Sequence, residues 1–149
     1  MNKFLAEKNN QEELRKLSVE LRLLEQTAES LQQRINMMNA AQTDLAYANM
    51  TLDGIKDEKD NAELLVPIGG SSYINVKLAN VDKVVVGMGA GVSVEKTLPE
   101  AKKIVKDRLL ELQKTMTSAQ QQFAQIVDRI NSGRKRLEIL YGSMREGTQ

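Results

Sequence analysis

Three glycines at alternate positions, Gly87, Gly89 and Gly91 in GMGAG, come nearest in this 149-residue chain to the spacing of a ligand-binding loop. A dinucleotide loop uses its glycines to bring backbone N–H groups against a pyrophosphate. Its spacing is GxGxxG, and a helix must follow to receive the anion at its N-terminus. Here the spacing is GxGxG and the residues that follow, VSVEK, alternate like a strand. These glycines therefore read as turn residues. GGSS at positions 69 to 72 lacks the Gly-Lys-Ser/Thr of a phosphate-binding loop and reads the same way. The chain has neither histidine nor cysteine, which removes the usual general bases, thiolate nucleophiles and zinc ligands. Asp57, Glu58 and Asp60 sit among lysines in a polar stretch of linker composition. No catalytic residue, metal site or cofactor is expected; an enzyme built on the glycine turns would have to bind a nucleotide.

Charge and composition narrow the partners. Lysine and arginine number 21 against 20 acidic residues, a net charge of +1, so a dedicated nucleic-acid surface is not expected. The local cluster Arg134, Lys135 and Arg136 reads as solvated helix surface. No run approaches the roughly 18 apolar residues of a membrane span, and the opening MNKFLAEKNNQEEL lacks the apolar core of a secretory signal. The expected protein is therefore soluble and cytoplasmic, and the absence of cysteine fits a reducing compartment. Hydrophobic residues make up 41% but aromatic residues only 3%, low for a spherical core, and an elongated molecule is expected.

The elements that carry these residues follow from periodicity. Leu14, Leu21, Ala28, Ile35, Gln42 and Asn49 form the a series of a heptad, with Leu17, Leu24, Leu31, Met38, Leu45 and Leu52 as the d series. Such a seam specifies a coiled-coil helix. It is expected to close near Asp53-Gly54, where glycine takes the left-handed conformation. A second seam runs Val105, Leu109, Leu112, Met116, Ala119, Phe123, Ile126, Ile130, Gly133, Leu137, Leu140, Met144. Thr97 and Glu100 have capping-box spacing before it, and Pro99 is tolerated in a first turn. Two seams of similar length predict an antiparallel hairpin of helices that bury each other's leucines. Gln42 and Asn49 are either register devices or solvated polar layers. Ser132-Gly133 is expected to make the end of the second helix bendable.

Between the seams lies strand chemistry. Leu64, Val66 and Ile68 alternate before Gly69-Gly70-Ser71, and Ile74, Val76 and Leu78 alternate after it, with Tyr73, Asn75 and Lys77 on the other face. A second pair is predicted over 83–88 and 91–96, turning at Gly89-Ala90, with Val84 and Val86 on one strand and Val92 and Val94 on the other. Pro67 belongs at a strand edge or end. The expected organisation is thus an N-terminal helix over 1–54, a linker over 55–63, two β-hairpins over 64–96 and a C-terminal helix over 97–149. Four short strands cannot enclose a core, and open edges invite pairing. The expectation is that Val66, Ile68, Ile74, Val76, Leu78, Val84, Val86, Val92 and Val94 pool with strands of other subunits in a closed β-barrel body. The fold class is therefore α+β, a long antiparallel two-helix coiled coil with two central hairpins that join an oligomeric barrel.

Apolar residues also fall off the seam at the free ends. Phe4 and Leu5 take positions e and f, and Ile139 and Tyr141 take c and e, beside the seam residues Leu137, Leu140 and Met144. Antiparallel folding gathers them at one end as an exposed cluster, extended by Val19 and Leu23. From the residues alone two functions stay open: a surface that binds other polypeptides, or a structural coiled-coil oligomer that only spaces or tethers partners.

LVPIGGSSYINVKL, followed by VVVGMGAGVSVEKT and a long heptad helix, resembles the α subunits of archaeal prefoldins. Two hairpins, rather than one, match the α type and not the β type. The resemblance implies an ATP-independent co-chaperone, a hetero-hexamer of two α and four β subunits with a double-barrel body and six coiled coils. It further implies that non-native client polypeptides are held at the tips, here Phe4, Leu5, Leu137, Ile139, Leu140, Tyr141 and Met144, and passed to a group II chaperonin.

Overall fold

The computed structural model describes residues 1–147. Its elements, in order, are α1 (Asn2–Ile55), β1 (Glu63–Gly69), β2 (Ser72–Lys77), β3 (Val84–Gly89), β4 (Val92–Lys96) and α2 (Leu98–Glu146). The chain divides into two compact units: residues 1–39 with the described residues from Lys114 onward, and Ala40–Gln113.

In the first unit, parts of α1 and α2 pack antiparallel, as the cross-helix ion pairs Glu13–Arg136 and Glu20–Arg129 show by running in opposite sequence directions. Every a and d residue that the periodicity selects there is withdrawn from water, with Leu21, Ile35, Met38, Ala119, Ile130 and Leu140 buried and the others half-buried. A seam shared by only two helices shields each side chain incompletely. Full burial of a leucine is favourable by about 1.5 to 3 kcal/mol, so the half-buried seam residues contribute less than the buried ones. α2 continues as helix through Ser132-Gly133, the segment expected to be bendable, to Glu146.

The second unit has a true cluster. Leu52 from α1, Leu98, Ala101 and Val105 from α2 and Val86 from β3 are buried together, with Leu45, Ala48, Ile55, Val81, Val84, Ile104 and Leu109 around them. The start of α2 is signed as expected: the Glu100 N–H donates to Thr97 Oγ1 at 3.4 Å and the Thr97 N–H donates to Glu100 Oε2 at 3.2 Å. That reciprocal pair satisfies two N–H groups otherwise orphaned at a helix start. α1 ends at Ile55, beside the expected Asp53-Gly54, with Gly54 helical and not left-handed, and Ile55 packs on this cluster.

Residues 56–62 are not a free linker. Asp60 Oδ1 accepts the Val81 N–H at 3.0 Å, the Asn61 N–H donates to the Leu78 carbonyl at 2.6 Å, and the Leu78 N–H donates to the Ala62 carbonyl at 2.9 Å. Asn61 reaches this bond with φ of 66°, a left-handed conformation that asparagine tolerates better than most residues. The segment therefore lengthens the first hairpin.

Each hairpin is a two-stranded antiparallel sheet of its own. β1 pairs with β2 in the register Leu64↔Val76, Val66↔Ile74 and Pro67↔Tyr73, with an irregularity between Pro67 and Gly69. β3 pairs with β4 as Val84↔Lys96, Val86↔Val94 and Gly87↔Ser93, with the same irregularity between Gly87 and Gly89. The turns need left-handed backbone, with φ of 100° and 56° at Gly69 and Gly70 and 98° and 75° at Gly89 and Gly91. That is why glycine recurs at these positions.

Candidate functional site

Two sets of exposed apolar side chains stand out, one in each unit. In the second unit they lie on β1 and β2. Val66 and Ile74 face each other across the ladder at 42% and 50% exposure, and Ile68, in the irregular segment, is 59% exposed. The opposite face carries Leu65 and Tyr73, exposed at 68% and 60%. Leu65 is a residue the strand pattern did not single out, because alternation assigns one face to the core and leaves the other to solvent. Both faces of this hairpin are apolar. Val76 and Leu78 are half-buried.

The second hairpin is different, and here the structure corrects the expectation. Val86 is buried and Val84 half-buried against the chain's own helices, in the cluster with Leu52, Leu98, Ala101 and Val105. Arg108 of α2 fixes the arrangement, its Nη2 donating to the Gly87 carbonyl at 2.7 Å. These two valines thus serve the subunit's own core and are not free to line a body shared with others. On the same hairpin Val92 and Val94 stay exposed, at 56% and 37%.

In the first unit the off-seam residues Phe4, Leu5, Ile139 and Tyr141 are exposed at 74%, 53%, 60% and 51%. A shallow groove on α2 beside Tyr141 is lined by Glu138, Gly142 and Arg145. The seam residues grouped with them behave otherwise. Leu140 is only 3% exposed, and Leu137 and Met144 are half-buried. A d-position leucine points into the partner helix, so Leu140 offers no surface. Val19 and Leu23, at 56% and 58%, are exposed as expected.

The basic cluster on α2 is not merely solvated. Arg136 grips Glu13 with two bonds, Nε to Oε1 at 2.7 Å and Nη2 to Oε2 at 3.0 Å, and Arg134 pairs with Glu25 at 2.8 Å. The hydrogen bonds from Arg136 hold the Glu13 carboxyl below its ordinary range, and Glu13 in turn raises the guanidinium. In the second unit Lys102 pairs with Asp53 and lowers its pKa, with Lys56 and Lys106 adding to the effect through charge. These are helix-to-helix ties of the charge-assisted kind.

No group of three or more acidic, histidine or cysteine side chains placed to hold a metal occurs among the described residues. Among them, too, no helix is long and apolar enough to cross a membrane.

Comparison with known proteins locates this arrangement in a family. Residues 24–142 match the family described as "Prefoldin subunit". The prefoldin subunit alpha of Methanococcoides burtonii is 34% identical over 123 residues, covering 83% of this chain and 89% of that one. That of Methanopyrus kandleri is 33% identical over 121 residues, 78% and 77% of the two chains. That of Pyrococcus horikoshii is 30% identical over 132 residues, 87% and 89%. Among solved structures, a chain of the filamentous PFD from Methanocaldococcus jannaschii superposes with a TM-score of 0.63 at 27% identity, over 75% of this chain and 93% of that one.

Proposed function

This chain belongs to the prefoldin family, and on that premise we propose that it is the α subunit of a hetero-oligomeric holdase that grips clients at the free ends of its helices. It functions as a prefoldin chaperone, and this reading assigns it no enzymatic activity. Assembly uses the strands: Val66, Ile68, Ile74, Val92 and Val94, with Val76 and Leu78 beside them, are the apolar side chains that strands of β subunits would cover. The expected complex is two α with four β subunits, located in the cytoplasm. It neither spans a membrane nor binds nucleic acid, and it passes its clients to a group II chaperonin. The relative from Methanocaldococcus jannaschii is filamentous; an open-ended stack of copies is the other assembly the exposed strands would support.

The observation that carries the client reading is a contrast between neighbours. Phe4, Leu5, Ile139 and Tyr141 remain more than half exposed, while Leu140 between the last two is buried. Exposed apolar groups on a soluble surface are the usual mark of an interaction site. Each would contribute at most about 1.5 to 3 kcal/mol on full burial, and ordering a floppy client offsets much of that. One subunit therefore binds weakly, and several on one body hold a client by avidity, roughly 10² to 10⁴ beyond a single contact. Weak plural contacts also permit release without ATP.

The test replaces Phe4, Leu5, Ile139 and Tyr141 together by glutamine, which keeps helix propensity and leaves the seam untouched. Oligomer mass by light scattering should be unchanged, while suppression of aggregation of a denatured protein, without ATP, should collapse. An assembled variant that protects as well as the parent would place client binding elsewhere and favour a spacer or tether role for these ends.

A further inference from the structure

Gly133 is the one position of the α2 seam without a side chain. A Cβ there would lie 2.6 Å from Leu21 Cδ2, 3.3 Å from Leu21 Cγ and 3.6 Å from Leu17 Cδ1. The first distance is shorter than van der Waals contact allows, so Leu21 already occupies the volume a side chain at 133 would need. Leu21 is 6% exposed, so its terminal methyl would have to move within the packed seam to admit a side chain at 133. The other helical glycines, Gly54 and Gly142, have nothing within 4 Å of such a position, so close approach is particular to Gly133.

Asn131, Ser132 and Gly133 are three poor helix formers in a row, yet α2 runs through them. Tertiary contact must hold the helix there. Ion pairs flank the site: Arg129 to Glu20 at 3.1 Å on one side, and Arg134 to Glu25 at 2.8 Å and Arg136 to Glu13 at 2.7 Å on the other.

We propose that Gly133 is a positioning residue, a hole in α2 shaped to take the Leu21 side chain. It fixes where α1 and α2 meet and keeps Leu14, Leu17, Leu137 and Leu140 closed between them. The glycine is a contact point, not a joint: its missing side chain permits close approach where a flexible hinge would permit bending. The two roles predict opposite signs for the same substitution. Alanine at a hinge stiffens the helix and slows its opening, whereas alanine at the hole collides with Leu21 and speeds it. The inference stands apart from client capture, since it concerns only how the two helices pack.

The experiment is amide hydrogen exchange by mass spectrometry on the full-length assembled protein, following peptides over residues 14–24 and 130–140. Gly133→Ala should exchange several-fold faster than the parent in both, and Ser132→Ala, a change at the exposed neighbour, should be no faster than the parent. Gly133→Ala combined with Leu21→Val moves one carbon from the knob to the hole, and should return exchange to the parent rate. Exchange in Gly133→Ala at or below the parent rate would overturn the proposal in favour of a hinge. A double variant as fast as the single one would equally overturn it, because complementarity with Leu21 would then not be the cause.

Discussion

The two hairpins have nearly the same local design and opposite surroundings. Each has glycines in left-handed turns, an irregularity at the equivalent place and valines or isoleucines facing each other across the ladder. β3–β4 lays Val84 and Val86 on the subunit's own helices and is tied there by Arg108. β1–β2 contributes nothing to that cluster; both hairpins leave apolar residues exposed on both faces, Val85 and Val94 among them in the second, so docking of Val84 and Val86 is what separates the two. An isolated two-stranded hairpin is marginal in water, and the difference separates a hairpin packed on the subunit's own helices from one whose residues stay outside that cluster.

The largest expected effect distinguishes the two directly. Val86→Asp would bury an unpaired carboxylate in the cluster with Leu52 and Val105, at a cost of several kcal/mol, and should lower the melting temperature of the chain itself. Ile74→Asp, at a half-exposed site, should leave the chain's own melt within about 0.5 kcal/mol while gel filtration shows the oligomer lost. Equal loss of stability from both substitutions would break the comparison.

A smaller effect is expected at Arg108. Replacing it by alanine removes the bond to the Gly87 carbonyl, which should cost about 1 kcal/mol and speed amide exchange across β3 and β4 but not across β1 and β2. Uniform acceleration in both hairpins would mean that they open as one body and are not separately mounted.

The smallest effect is electrostatic and exposed. Glu13 and Asp53 have pKa values lowered in the folded chain by Arg136 and Lys102. Folding is therefore favoured by these pairs at pH above the ordinary carboxylate values, about 4.3 for glutamate and 3.9 for aspartate. That contribution is lost as pH falls through the lower folded values. Thermal melts taken from neutral pH downward should show a shallower acid decline in Glu13→Gln and Asp53→Asn than in the parent. Molar salt should also shrink the gap between each variant and the parent, because exposed pairs are screened. A decline of unchanged slope would show that these ties do not contribute to stability.

How much was legible beforehand differs element by element. The heptad positions from Leu14 to Leu52 and from Val105 to Met144 are each withdrawn from water, because a period near 3.5 admits one buried stripe whatever partner covers it. The hairpin turns were equally legible, since left-handed backbone at Gly69, Gly70, Gly89 and Gly91 leaves glycine as the natural residue. The capping box at Thr97 and Glu100 is a contact across three residues and needs no distant part of the chain. Less was legible at the interaction surfaces. Leu140 and Tyr141 are adjacent and both large, and only the phase of the seam separates the buried one from the exposed one.

The sequence by itself thus determined what depends on near neighbours: two long helices, two hairpins between them, their turns and their apolar stripes. Tertiary structure decided what depends on residues far apart in the chain. It chose which hairpin docks, because Val86 meets Leu52 and Val105 only once both helices are placed. It set Gly133 against Leu21, a close contact between residues more than a hundred positions apart along the chain. It also paired Arg136 with Glu13, 123 residues apart, which no local pattern encodes. Periodicity reports that a face is apolar; only the assembled neighbours determine what fills it.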